Sequence, residues 1–175
     1  MAIFTIGHST LPIEKFLDML RAHGIQLLAD VRTIPKSRRN PQFAQEQLAA
    51  SLQLCGIGYQ HLPGLGGLRR ARKDSMNAAW KNASFRGYAD YMQTPEFGES
   101  LDTLIRLADD APTVIMCAEA VPWRCHRSLI ADALSARGVQ VEHILSASSR
   151  KLHSYTPFAR IEGESVTYPG LPLIP

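Results

Sequence analysis

Short apolar runs alternate with amphipathic helical patterns along most of this chain, and this alternation is the feature that most restricts its fold. Five runs predict strands, at residues 2–6, 25–31, 57–62, 114–116 and 139–145. The second and fourth are almost wholly apolar, as is typical of parallel strands covered by helices on both faces. The sequence therefore predicts an α/β, three-layer, Rossmann-like fold with a mainly parallel sheet of about five strands.

The segments between these runs predict helices from Pro12 onward and over about 43–55, 85–92, 97–108 and 124–136. Ser9 or Thr10 is expected to cap the first helix. Residues 68–82 are polar and basic, which predicts an inserted loop with a helical turn at 76–80. Near the end of the chain, residues 165–168 predict a short edge strand.

The length of 175 residues predicts a single α/β domain, 1–175, in which 146–175 is a less regular C-terminal tail. Three cysteines, an odd number, argue against a disulfide framework of the secreted kind. The N-terminus has no signal-peptide pattern, and no apolar run reaches the roughly 20 residues of a membrane helix. We therefore expect a cytoplasmic protein that has no membrane partner; protein partners are left open.

The net charge of +3 is mild, but basic residues cluster in two predicted loops. These clusters are either solvated loops or contacts for phosphate or nucleic acid. Their members are Lys36, Arg38 and Arg39 in the first loop, and Arg69, Arg70, Arg72 and Lys73 in the second.

Polar residues collect at one end of the predicted strands. In a parallel sheet the loops that follow the strands share one edge, which is where open α/β proteins bind ligands. The opposite loops are plain helix ends at Gly24, Gly56 and Gly138. We therefore predict a ligand site at the C-terminal edge of the sheet, formed by His8, Ser9, Thr10, Asp30, Arg32, His61, the glycine turn with Gly66 and Gly67, Cys117, Glu119, Arg124, Cys125, His126 and Arg127.

Cys125 is predicted to lie at the start of a helix, where the dipole and the neighbouring basic residues lower a thiol pKa. It is either a nucleophile or a small residue that fills the helix terminus. Cys117 ends a buried strand, which favours a core thiol. Cys55 is expected to pack on its helix. A metal or redox site at the two loop cysteines is a further alternative, although seven residues separate them and the spacing matches no standard zinc or Cys-x-x-Cys pattern.

The segment from Cys117 to Arg124 invites comparison with the anion-binding loop of cysteine phosphatases and rhodaneses. Six residues lie between these two positions, not the five of the phosphatase loop. Pro122 and Trp123 also replace the glycines that allow amides to converge on an anion. The comparison therefore holds only as an analogy.

Asp30 and Arg32 project to the same face, because side chains alternate along a strand. Either they pair as a salt bridge, or Asp30 is a general base beside an anion-binding arginine. Glu119 is a second acid–base candidate. The aromatic residues near the basic loop could stack on bases, although this spacing is more typical of a core: Trp80, Phe85, Tyr88 and Tyr91.

Several of these motifs together resemble the domain of unknown function 488 family, over about residues 5–144. The matching segments are 5–10, 30–32, Pro35 with Ser37, 59–67, 85–92, 117–119 and 125–127. The resemblance implies a cytoplasmic protein of bacteria or archaea with no agreed reaction. It also marks His8, Ser9, Asp30, Arg32, Cys117, Glu119, Cys125, His126 and Arg127 as family positions.

The leading hypothesis is an enzyme that acts on a phosphate-bearing ligand, a nucleotide or a nucleic-acid component. Arg32, Arg124 and Arg127 would hold the anion, helped by backbone amides at the Arg124 helix start. Cys125 or Glu119 would act as nucleophile or acid–base group in a hydrolase or transferase, oriented by His8 or His126. The alternative is a non-catalytic module that binds nucleic acid or nucleotide. The cofactor stays unknown.

Overall fold

The computed structural model describes residues 1–171, and its central element is a six-stranded sheet. The strands are β1 (Ala2–Gly7), β2 (Leu27–Asp30), β3 (Gly58–His61), β4 (Thr113–Cys117), β5 (Gln140–Ser146) and β6 (Ser149–Leu152). Their order is β3-β2-β4-β1-β5-β6; the first five run parallel, and β6 is antiparallel to β5. The mainly parallel sheet is confirmed, with one strand more than expected.

Helices cover both faces of the sheet, so the predicted three-layer α/β fold is also confirmed. They are α1 (Ile13–Ala22), α2 (Gln45–Leu54), α3 (Ala83–Tyr91), α4 (Pro95–Asp110) and α5 (Arg127–Ala136). α1 and α2 pack in one apolar cluster with Phe4 and Val114. α3, α4 and α5 pack in the other with Ile3 and Ile115. Successive strand residues therefore point into opposite cores, which is why these strands are apolar throughout.

β1 and β4 lie side by side, and the chain leaves them toward opposite faces of the sheet. After β1 it enters α1 on one face, whereas after β4 it enters α5 on the other. This is a topological switch point, where diverging loops leave a crevice outside the carboxyl ends of the strands.

One predicted helix cap and one predicted helix start are wrong. α1 is preceded by Pro12 at the N-cap, with no side-chain cap, so neither Ser9 nor Thr10 caps it. α5 starts at Arg127. A separate 3-10 turn at Pro122–Arg124 precedes it, and the hydrogen bonds of this turn do not continue into α5. Cys125 is extended, with φ −137° and ψ 151°, and therefore does not lie in the first turn of a helix.

The loop at 68–82 contains turns and bends, without the helical turn predicted at 76–80. Buried Asp90 organises it from α3 instead. This carboxylate accepts hydrogen bonds from the Arg72 amide (2.8 Å), the Ser75 hydroxyl (2.6 Å) and the Asn77 side-chain amide (2.8 Å). Local backbone bonds close single turns only, as from the Trp80 amide to the Asn77 carbonyl (3.1 Å), and Asp90 connects these turns to α3.

Beyond β6 the chain forms a second, two-stranded antiparallel sheet, β7 (Arg160–Glu162) with β8 (Ser165–Thr167). The strand predicted at 165–168 therefore exists, but its partner is β7 rather than the main sheet. Val166 and Tyr168 are buried in the α3–α5 core. Residues 172–175 of the predicted tail lie outside the described residues.

Candidate functional site

A cleft of about 850 Å³ lies at the switch point, within the usual size range of small-molecule sites. Four strand-to-helix loops and the start of α3 line it. The lining residues fall in the ranges 8–10, 32–40, 67–68, 82–88 and 117–126.

The β1 and β4 loops touch at the floor of the cleft. The His8 amide donates to the Cys117 carbonyl (3.0 Å), and the Ser9 amide donates to the Ala118 carbonyl (2.9 Å). Gly7 permits this approach, because a Cβ there would overlap the Glu119 carbonyl. Ser9 has φ +47°, a left-handed conformation that costs a non-glycine residue energy and that is enriched at functional sites.

His8 is buried and presents one ring nitrogen to the cleft. Its Nδ1 lies 2.8 Å from the Ser9 carbonyl, which can only accept, so Nδ1 carries the proton. Nε2 is therefore an acceptor, 3.5 Å from Nη1 of Arg32. Burial, with Arg32 nearby, lowers the pKa of His8, and the ring stacks on Phe43 at 4.3 Å. His8 is thus a neutral, oriented base.

Asp30 and Arg32 form a buried, bidentate ion pair. Nε of Arg32 lies 2.9 Å from Oδ1, and Nη2 lies 2.7 Å from Oδ2. Oδ1 also accepts from the Arg32 amide, and Oδ2 accepts from the Tyr59 hydroxyl at 2.6 Å. Burial and the hydrogen bond to Asp30 raise the pKa of Tyr59, so this hydroxyl stays a donor. Of the two alternatives for Asp30, the geometry favours the salt bridge over a general base.

Basic side chains dominate the charged lining of the cleft. Four of them have no ion-pair or side-chain hydrogen-bond partner within residues 1–171, and we call these the cleft cations: Lys36, Arg38, Arg39 and Arg124. Arg32 adds a fifth cation whose charge Asp30 balances. Among the described lining residues only Glu119, which is exposed, carries a carboxylate. The cleft therefore presents excess positive charge.

The sulfur atoms of Cys117 and Cys125 meet on the floor of the cleft, where the two residues can pair as a disulfide. His126 lies beside them, with Nε2 2.9 Å from the Val31 carbonyl and Nδ1 3.5 Å from the Cys125 sulfur. Because that carbonyl can only accept, Nε2 carries the proton and Nδ1 is the acceptor. Burial lowers the pKa of His126 to about 4, so the ring is neutral at neutral pH.

Four predicted site residues lie outside the lining. Asp30 is held by Arg32, His61 donates through Nε2 to the Arg32 carbonyl (2.8 Å), and Gly66 is buried against Thr33. Arg127 is 1% exposed and donates through Nη2 to the carbonyls of Glu119 (2.7 Å) and Ala120 (3.3 Å). It therefore supports the β4 loop from below instead of pointing into the cleft.

The remaining predicted residues do converge on the cleft, although contact with a ligand stays a prediction for each: His8, Ser9, Thr10, Arg32, Gly67, Cys117, Glu119, Arg124, Cys125 and His126. The backbone amides of Arg124 and Cys125 do not contribute as expected. They donate to the carbonyls of Val121 and Pro122 within the 3-10 turn, and so are not free for an anion.

The family model described as Domain of unknown function DUF488 matches residues 12–134, most of the chain. The chain belongs to this family. The matched region includes Arg32, the cleft cations and both cleft cysteines, whereas His8 and Ser9 precede it. No curated protein and no solved structure matches the chain.

None of the helices in residues 1–171 has the length and apolar character needed to span a membrane.

This DUF488 chain also holds a second polar cluster, which the sequence did not predict. We call it the buried relay: Arg127, Thr5, His143, His153 and Asp132. The Thr5 hydroxyl lies 3.4 Å from Nη1 of Arg127 and 2.6 Å from Nδ1 of His143. Nε2 of His143 lies 2.9 Å from Nδ1 of His153, whose Nε2 lies 2.8 Å from Oδ1 of Asp132.

One proton arrangement satisfies every step of the buried relay with both imidazoles neutral. Arg127 donates to Thr5, Thr5 to His143, His143 to His153, and His153 to Asp132. Burial lowers the pKa of His143 to about 4, in agreement with a neutral ring. Asp132 also accepts from the Thr156 hydroxyl and from the Tyr168 hydroxyl, each at 2.7 Å. A sequence signal did exist, since Asp132 interrupts an otherwise apolar helical pattern.

Proposed function

We propose that this DUF488 protein is an enzyme that acts on a phosphate-bearing ligand, a nucleotide or a nucleic-acid component, in the switch-point cleft. The observation that carries the proposal is the set of cleft cations, four basic side chains that have no ion-pair or side-chain hydrogen-bond partner among residues 1–171 and that surround a cavity of about 850 Å³. All four side chains are exposed, but they converge on one cavity, and this concentration of positive charge favours an anionic ligand, since phosphate oxygens accept well from arginine.

Arg32 has a different part in this proposal from the cleft cations. Its Nε and Nη2 are taken up by Asp30, which holds the guanidinium plane fixed. Nη1 remains directed toward His8 and the cleft. A donor oriented in this way would bind a phosphoryl oxygen without further loss of side-chain freedom, whereas Arg38 and Arg39 are exposed and would order on binding.

His8 is the best-placed acid–base group of the proposed enzyme. Its neutral Nε2 would take a proton from an attacking water or hydroxyl group, while Arg32 stabilises charge on the phosphoryl oxygens. Glu119 is the second acid–base candidate, since it is the exposed carboxylate of the lining. Cys125 is less available as a nucleophile, because its sulfur faces Cys117.

Ligand binding is tested by thermal shift with inorganic phosphate, AMP, ATP and a short 5′-phosphorylated DNA strand. A ligand at 100 times its dissociation constant adds about 2.7 kcal/mol to the free energy of unfolding. We expect at least one phosphate compound to stabilise the protein. Absence of stabilisation by every member of the panel, at low and high concentration, would contradict the proposal.

Catalysis is tested with His8→Asn, which keeps a donor toward the Ser9 carbonyl and removes the nitrogen that faces the cleft. Turnover of the hit from the panel should fall by about 10²- to 10⁴-fold, while its dissociation constant changes only a few-fold. Lys15→Ala on α1, outside the lining, is the control. Unchanged turnover in His8→Asn would remove His8 from the mechanism.

A non-catalytic nucleic-acid module is the second candidate, and exposed apolar residues favour it. Trp123, which precedes Arg124, is 65% exposed, and Ile34 and Leu68 of the lining are exposed as well. An exposed aromatic ring beside a cation suits base stacking next to phosphate contact. This function predicts steeply salt-dependent binding of single-stranded nucleic acid that is lost in Trp123→Ala, with no turnover in the unchanged protein.

A further inference from the structure

The two cleft cysteines differ from an ordinary structural disulfide in where they lie. Both line the cleft although they are largely buried, so a small molecule would approach them from the cleft. Their Cα atoms are 7.7 Å apart, whereas relaxed disulfides span about 4.4–6.8 Å. The backbone is thus spaced for two facing thiols, and it must move by roughly 1 Å or more to hold a relaxed bond.

The two sulfur atoms have different hydrogen-bond partners, which suggests different chemical roles for Cys125 and Cys117. Nδ1 of His126, a hydrogen-bond acceptor, lies 3.5 Å from the Cys125 sulfur, and the Arg127 amide donates to the same sulfur at 3.5 Å. Apart from Cys125, the Cys117 sulfur has one hydrogen-bond partner within residues 1–171, the Glu119 carbonyl at 3.8 Å. Cys125 is also the more exposed, at 6% against 2%. Cys125 therefore has both a hydrogen-bond acceptor for its proton and a donor for its developing charge.

A metal centre is the competing explanation for such a pair. Within residues 1–171, no group of three or more histidine, cysteine, aspartate or glutamate side chains is placed to hold a metal ion. His126 uses Nε2 on the Val31 carbonyl, and its Nδ1 is directed at Cys125. The arrangement around the sulfurs suits proton transfer better than coordination.

We propose that Cys117 and Cys125 form a reversible dithiol–disulfide centre on the cleft floor, whose co-reactant is a low-molecular-weight disulfide. Cys125 attacks one sulfur of that disulfide, whose sulfur–sulfur bond breaks, and the Cys125 proton passes by way of Nδ1 of His126 to the first small thiol, which leaves. The Cys117 thiol then attacks the Cys125 sulfur of the mixed disulfide, and the second small thiol leaves. Two protein thiols are oxidised to one disulfide, and one small disulfide is reduced to two thiols.

Oxidation also changes the cleft, because the bond spans the loop that carries Glu119 and Arg124. Shortening the distance between the two Cα atoms draws this loop toward the end of β4. Arg127 holds the same loop through the Glu119 and Ala120 carbonyls, so the shift is transmitted to a packed element. This effect on ligand affinity rests on the proposed function, whereas the thiol chemistry itself does not.

The thiol chemistry is tested on the full chain with intact-mass measurement and thiol titration. The protein is equilibrated with reduced glutathione or with oxidised glutathione, then denatured and titrated. We expect three thiols in the reduced sample and one, Cys55, in the oxidised sample, with a mass lower by two hydrogen atoms and no retained glutathione. Return to reduced glutathione should restore all three.

Single substitutions assign the roles. Cys117→Ser should retain one glutathione on Cys125, because the resolving thiol is missing; Cys125→Ser should retain much less, since Cys117 lacks a base. Cys55→Ser, outside the cleft, should oxidise like the unchanged protein. Three thiols after treatment with oxidised glutathione, or a glutathione on each cleft cysteine, would overturn the proposal without any variant. If pairing occurs but phosphate-ligand affinity is the same in both states, the redox centre stands and its coupling to the proposed function fails.

Discussion

The cleft cations and the buried relay are both dense groups of polar side chains, but they differ in whether the protein itself satisfies them. In the buried relay each step from Arg127 to Asp132 joins a donor to an acceptor of the chain, and among its side-chain nitrogens and oxygens only Nε of Arg127 is buried without a partner in the described residues. The cleft cations have no such partners within residues 1–171. Satisfied polar groups contribute to the fold, whereas unpaired charges around a cavity are available to a ligand. Substitutions should therefore separate stability from binding.

The largest effect is expected from Asp132→Ala, which breaks the satisfied cluster. It removes the acceptor for His153, Thr156 and Tyr168, all of which keep donors in the interior. We expect a loss of about 3–5 kcal/mol in the free energy of unfolding, measured by urea denaturation. Asp109→Ala, an exposed carboxylate on α4, is the control and should change stability by less than about 0.5 kcal/mol. Equal effects would mean that the buried relay is not a stabilising network.

The second largest effect is expected from lowering the pH, which should reduce the free energy of unfolding by protonating the buried relay. The pKa of His143, lowered by burial to about 4, lies below its value in the unfolded chain, so the unfolded state binds the extra proton first. Stability is therefore fully present above about pH 6.5 and falls toward pH 4, by up to about 3 kcal/mol for this residue. His126, also lowered by burial to about 4, adds a similar fall.

Denaturation in urea across this pH range measures the slope. His143→Gln keeps a donor toward His153 but cannot titrate, so it should lower the slope by about half. A stability profile that is flat from pH 6.5 to 4.5 in the unchanged protein would contradict neutral, buried rings.

Gly7→Ala acts on both regions at once, because its Cβ would overlap the Glu119 carbonyl, to which Arg127 also donates. We expect a loss of about 1–3 kcal/mol in the free energy of unfolding, together with weaker ligand binding as the β4 loop shifts. Gly98→Ala on α4 is the matched control, since its Cβ would have room and alanine favours a helix. A stable Gly7→Ala protein with normal binding would show that the close loop contact is dispensable.

The smallest effect on stability is expected from Arg38→Ala with Arg39→Ala, which changes only the open cleft. The free energy of unfolding should stay within about 0.5 kcal/mol for each substitution. The affinity for the phosphate compound found in the screen should fall about 10- to 100-fold, as charged hydrogen bonds are lost. Arg106→Ala, an exposed arginine on α4 outside the lining, should change neither.

The sequence predicted the α/β fold and the edge where the cleft lies, because both follow from the period of apolar residues and from strand direction. It did not predict the start of α5, because the helical pattern of apolar residues extends back over the 3-10 turn that ends at Cys125. The sequence also did not predict the strand order, because neighbouring strands such as β1 and β4 are more than a hundred residues apart in the chain.

At the level of single side chains, most of the predicted site residues line the cleft, and their contact with a ligand stays a prediction; the sequence could not separate lining residues from supporting ones. Arg124 and Arg127 are three residues apart, yet one is exposed at the cleft and the other is buried beneath it. The buried relay joins residues from four separate segments, so its hydrogen bonds depend on tertiary contacts that leave no local pattern.

The central claim, that the cleft and not the buried relay binds the ligand, is tested most directly by ¹H–¹⁵N NMR titration of the full chain. The probe is the phosphate compound with the largest thermal shift, or inorganic phosphate. The account predicts shifts for amides in 8–10, 33–40 and 118–126, with little change in 141–144 and 153–168. Shifts confined to the second set, or spread over surfaces away from the cleft, would contradict it.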